Sequence, residues 1–159
     1  MKRIAFFLAS SVLTVSGMFC RSGTDHASLF SVRASSTNSR IIIEGRSLTV
    51  TRLDHTYDNP VSAVPSRTEA HTQTAVLEEA DVLALKDSIR NSGFLSLPSS
   101  CGAPQAERHY PSSIQVQMDG KSHEVIYRSN PSYSDCPRAF HDVERALELL
   151  SAKAARQRP

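Results

Sequence analysis

The sequence predicts an α+β domain: a four-stranded, mainly antiparallel sheet with two helices packed on one face, in the order β-β-α-β-β-α. Three observations point there. Apolar residues recur at helical spacing in two stretches, Val82, Leu85 and Ile89, then Phe140, Val143, Leu147 and Leu150. Asp119-Gly120 stands between two alternating runs, the mark of a two-residue hairpin turn. Strand-forming runs precede the first helix at Ile41-Ile42-Ile43 and over residues 47–53.

The chain opens on Met1-Lys2-Arg3, a short positive region, followed by an apolar run over residues 4–15. That order and length fit a signal peptide and are too short to cross a bilayer, so residues 1–22 read as a leader and export is expected. Three maturation routes stay open. Val15-Ser16-Gly17 offers small residues for cleavage before Met18, and Cys20-Arg21-Ser22 offers them for cleavage before Gly23. The third is lipidation of Cys20, as in bacterial lipoproteins, although Phe19 stands where a lipobox takes a small residue. The expected location is periplasmic or secreted, with a membrane-anchored lipoprotein as the alternative.

Composition narrows the partners. The 159 residues carry 18 basic and 16 acidic side chains; without Lys2, Arg3 and Arg21 the balance is 15 against 16, or −1. Such a mature protein has no electrostatic basis for holding nucleic acid. Tryptophan is absent, which argues against a stacking platform for bases or sugars.

Residues 23–40, rich in Ser and Thr, read as a flexible spacer. The domain is expected over residues 41–150. Gly45-Arg46 marks a turn or bulge, residues 54–67 a loop around Asn59-Pro60 and Pro65, and residues 68–77 a second strand. One face of that strand carries Thr68, Ala70, Thr72, Thr74 and Val76, the other Glu69, His71, Gln73, Ala75 and Leu77. Glu78, Glu79 and Asp81 suit the positive end of the helix that follows, and Gly93 suits its left-handed stop. Phe94-Leu95-Ser96-Leu97-Pro98 reads as an extended exit that plugs the core beneath the helix.

A type I′ turn at Asp119-Gly120 opposes Met118 to Lys121, Val116 to His123 and Ile114 to Val125. Ile114, Val116, Met118, His123, Val125 and Tyr127 then share the core face, with His123 packed and hydrogen-bonded rather than catalytic. Pro137 fits the first position of the closing helix. Residues 151–159 read as a basic tail.

If the protein is exported, Cys101 and Cys136 are expected to form a disulfide joining the exit of one helix to the start of the other. The pair lacks the short spacing of a redox motif. Of the six histidines (His26, His55, His71, His109, His123 and His141), none sits in a zinc-binding pattern, and the densest ligand-like run is Asp54-His55-Thr56-Tyr57-Asp58. No nucleophile elbow or phosphate-binding glycine loop occurs, so no catalytic residue, cofactor or metal is assigned.

The string Leu83-Ala84-Leu85-Lys86-Asp87-Ser88-Ile89-Arg90-Asn91-Ser92-Gly93-Phe94-Leu95-Ser96-Leu97-Pro98 is followed by the hairpin Gln115-Val116-Gln117-Met118-Asp119-Gly120-Lys121-Ser122-His123-Glu124-Val125 and an apolar helix. This order resembles small bacterial exported α+β domains of the emfourin type, inhibitors of thermolysin-like metalloproteases, over residues 41–150. The resemblance implies a non-enzymatic domain that binds another protein, a protease among the candidates. It carries over no inhibitory residue, and the long loop at 54–67 and the cysteine pair depart from it. Two other classes stand beside this reading: a lipid-anchored structural protein of the envelope, with a membrane partner only through Cys20, and a small metal-dependent hydrolase using His55 or His109.

Overall fold

The two apolar stripes fold as helices and bury as their spacing requires. The computed structural model describes residues 30–59 and 64–156. Its elements are β1 (Ser31–Ser35), β2 (Ser39–Glu44), β3 (Ser47–Thr56), β4 (Arg67–Val76), α1 (Glu79–Ser92), β5 (Ser100–Gly102), β6 (Tyr110–Met118), β7 (Lys121–Ser129) and α2 (Arg138–Arg156). Helix α1 ends at Gly93, whose φ of 81° is the left-handed cap that lets the chain turn back. Val82, Leu85 and Ile89 from α1 and Phe140, Val143 and Leu147 from α2 join one core with Val32, Ile43, Leu48, Ile114, Val116, Met118 and Val125 from the sheet. Both helices therefore cover the same face.

The sheet is not the expected four strands. It has seven, in the order β4-β3-β2-β1-β6-β7-β5. All neighbours are antiparallel except β5 and β7, which run parallel and make the sheet mixed. Three local causes account for the difference. First, the segment 23–40, expected as a spacer, supplies β1 and the start of β2. In β1 only Val32 and Ala34 face the core, and Arg33 faces out, so composition alone reads as polar linker. Its place between β2 and β6 satisfies its backbone groups on both sides.

Second, Gly45-Arg46 is a full hairpin turn rather than a bulge, with φ of 58° at Gly45, so 41–53 divides into two strands. Third, β5 is three residues long and is held by Tyr127 and its neighbours on β7. A Cβ on Gly102 would lie 2.3 Å from the Arg128 carbonyl oxygen, and its φ is 85°. Glycine is what allows this edge to close.

Smaller differences follow the same logic. Strands β3 and β4 extend to Thr56 and back from Arg67, taking the flanks of the expected loop. The exit from α1 is a single 3-10 turn over Phe94–Ser96, not an extended segment, and it drives Phe94 fully into the core. Helix α2 continues to Arg156, so most of the expected tail is helical. The β6–β7 hairpin has the register and faces that Asp119-Gly120 requires, with φ of 53° and 73° at the two turn residues.

Among the described residues no helix is long and apolar enough to cross a membrane. The leader, Cys20 and His26 lie outside the described residues.

Candidate functional site

Two regions stand apart from the core: a two-stranded ribbon at one end of the sheet and a polar clip beside the disulfide. The ribbon consists of β3 and β4, paired without interruption from Ser47 with Val76 to Thr56 with Arg67. No residue of β4 belongs to the core, and beyond Val50 neither does β3. Its backbone is instead supported by polar contacts. Thr51 and Thr72 share a hydroxyl hydrogen bond of 3.1 Å, the Leu53 amide donates to Asn38 at 2.8 Å, and the Ser66 hydroxyl donates to the Thr56 carbonyl at 3.0 Å.

Strand β4 is the outer strand of the sheet. Proteins usually protect such an edge with proline, lysine, a bulge or a very short strand. Here Arg-Thr-Glu-Ala-His-Thr-Gln-Thr-Ala-Val runs for ten residues without proline, glycine or lysine. The opposite edge, β5, is three residues long and tethered by a disulfide. The exposure is thus one-sided.

The ribbon also places the sequence-derived metal candidates. Strand alternation sends Asp54 and His55 to opposite faces. His55 Nε2 donates to the Thr37 carbonyl at 3.1 Å, which leaves Nδ1 to accept from the Thr68 hydroxyl at 2.9 Å. Asp54 instead meets His71 at 3.3 Å, and Glu69 lies 2.7 Å from Arg67. His109 is remote from them, its Nδ1 donating to the Glu107 carbonyl at 2.7 Å. The structure does not bring His55, Asp54 and His109 together, and among the described residues no group of three His, Cys, Asp or Glu side chains has metal-holding geometry.

The polar clip was not anticipated. Cys101 on β5 and Cys136, two residues before α2, form the disulfide, with Cα atoms 5.2 Å apart. Beside it, His141 on the first turn of α2 gives Nε2 to Asp135 at 3.0 Å and Nδ1 to Glu144 at 3.1 Å. Both partners are carboxylates, so the protonated ring is the form that can donate from both nitrogens. Burial works to lower its pKa, but the bonds to Glu144 and Asp135 outweigh it and raise the pKa. The Tyr127 hydroxyl donates to Asp135, which with His141 depresses that carboxyl and raises the phenol. Asp135 also accepts the Cys136 amide at 2.8 Å.

The carboxylates flank the His141 ring on opposite sides rather than converging, so the arrangement is a brace and not a ligand set. The three-residue spacing of His141 and Glu144 on a helix is a signal for it, but Asp135 is placed only by the fold.

His123 packs as expected, edge-on to Phe94 with ring centroids 5.8 Å apart. The expected hydrogen bond at its Nε2 is missing: that atom is buried without a partner among the described residues.

No protein-family model matches the chain, and no curated protein matches it. Function must be argued from the residues themselves.

Proposed function

We propose that this is an exported, non-enzymatic domain that binds another protein, with the β3–β4 ribbon as its contact element. The observation that carries the reading is the ribbon's independence from the core. All of β4 and the part of β3 beyond Val50, built largely of Thr, Ala and paired charges, lie outside the core and leave the backbone edge of β4 open. An extended segment of a partner can add to such an edge through main-chain hydrogen bonds, with alternate side chains supplying selectivity. The disulfide is consistent with an oxidising extracellular compartment and so with export. The emfourin-like order of elements makes a thermolysin-like metalloprotease the first partner to assay.

The test is a shortened ribbon. Replacing residues 53–70 with a two-residue turn removes the protruding end and leaves every core residue in place. The shortened protein should melt as a folded domain and lose affinity for a purified partner identified by cross-linking to the intact protein. Unchanged affinity would refute the ribbon as the contact element.

A further inference from the structure

The charge order along β4 does not suit its neighbour in the sheet. The observed register sets Glu69 opposite Asp54 and His71 opposite Arg52, so acid faces acid and two N–H donors face each other across the ribbon. Directly opposed like charges such as Glu69 and Asp54 destabilise a strand pair. The Asp54–His71 contact at 3.3 Å and the Arg67–Glu69 contact at 2.7 Å relieve this only diagonally and along β4 itself, not between the opposed residues. Glu69 and His71 are also largely exposed, at 47% and 59%.

Resting on the reading of β4 as a binding edge, we propose that its occupant in the partner-free protein is β4 of a second copy, paired antiparallel about a two-fold axis at Ala70. That axis sets Glu69 opposite the partner's His71 and His71 opposite the partner's Glu69, an acceptor facing an N–H donor twice. Arg67 falls opposite the partner's Gln73, and Thr68 opposite the partner's Thr72. The pattern that is wrong for β3 is right for a second β4.

Neighbouring registers do not share this. Centring on Glu69 sets Glu69 against itself and Arg67 against the partner's His71. Centring on His71 sets His71 against itself and leaves Glu69 facing the partner's Gln73.

The backbone is in phase for the pairing. The Leu77 amide donates to the Arg46 carbonyl at 2.8 Å, one step beyond the Ser47–Val76 pair. Antiparallel bonding alternates, so Gln73, His71 and Glu69 turn their amides toward β3, and Thr68, Ala70, Thr72 and Thr74 turn theirs outward. In the Ala70-centred pair, outward residues meet outward residues. The result is one continuous fourteen-stranded sheet, closed by two-fold symmetry at the only long edge among the described residues.

Sedimentation velocity on the oxidised protein across a concentration series tests this. The expected result is a reversible dimer. Ala70→Pro removes an outward amide that β3 does not use, and should give a monomer whose far-ultraviolet circular dichroism and melting curve are unchanged. Glu69→Lys should raise the dimer dissociation constant about tenfold, because two symmetric pairs are lost. Adding His71→Glu should restore it, since the introduced lysine and glutamate then face each other across the axis and also oppose Asp54 and Arg52 within the ribbon. A wild-type monomer at every concentration, a dimer that persists in Ala70→Pro, or a charge swap that fails to restore association each overturns the proposal. None of these outcomes touches the ribbon's role toward other proteins, which fails if the shortened ribbon retains partner affinity.

Discussion

Reducing the Cys101–Cys136 bond should cost the domain a large share of its stability. The two residues are 35 apart in sequence, and closing a loop of that length in the denatured chain corresponds to about 4 kcal/mol by the chain-entropy relation. Residual denatured structure lowers such values, so about 2–4 kcal/mol is expected. Chemical reduction isolates this term better than substitution. Cys136 is only 5% exposed, and a serine there buries a hydroxyl in place of a sulfur.

The assay is urea unfolding of the oxidised and reduced protein, followed by circular dichroism. The midpoint should fall and the slope should rise, because the uncrosslinked denatured chain exposes more surface. For a domain of this size the loss corresponds to a drop in melting temperature of about 8–15 °C. Coincident unfolding curves, with thiol titration showing that reduction did occur, would refute the loop-closure argument. Two free thiols in protein taken from an oxidising compartment would refute the bond itself.

Other perturbations have distinct signatures. Gly102→Ala should destabilise by about 1–3 kcal/mol and expose β5 amides to exchange, since its Cβ meets the Arg128 carbonyl and φ is 85°. His123→Leu removes a buried nitrogen without a partner and should be neutral or stabilising by about 1 kcal/mol, read from the urea midpoint. Phe94→Ala, at a fully buried position, should cost about 3–5 kcal/mol. His141→Ala should show its largest loss below pH 6.5, the ordinary histidine value, and above the depressed Asp135 pKa. A raised folded pKa contributes stability fully below the unfolded value and loses it as pH rises through the folded one. The Asp135 contribution behaves oppositely and is lost as pH falls through its depressed pKa. The wild-type and variant stability curves should therefore converge at high pH.

The parts of the fold that were legible in the sequence are those whose signal is local and strongly periodic. Val82, Leu85 and Ile89 specify a helix face by spacing alone, and Asp119-Gly120 specifies both a turn and the register of nine residues on either side. What escaped is structure supplied by neighbours. Strand β1 holds one fully buried side chain, Val32, and exists because β2 and β6 take its hydrogen bonds. Strand β5 is too short to show any period, and depends on Gly102 approaching Arg128. The alternation of 68–77 was readable, but its edge position follows from strand order, which no local pattern encodes. The clip around His141 needed Asp135 and Tyr127 brought to α2 by the sheet.

The most direct test of the ribbon as the contact element is site-specific photo-cross-linking in the native host. A photoreactive residue at Ala70, centred on the open edge, is compared with one at Leu83, which is 52% exposed on α1. The account predicts defined protein adducts from position 70, their masses separating a second copy from a different partner, and none from position 83. Adducts from position 83 with none from position 70 would contradict it.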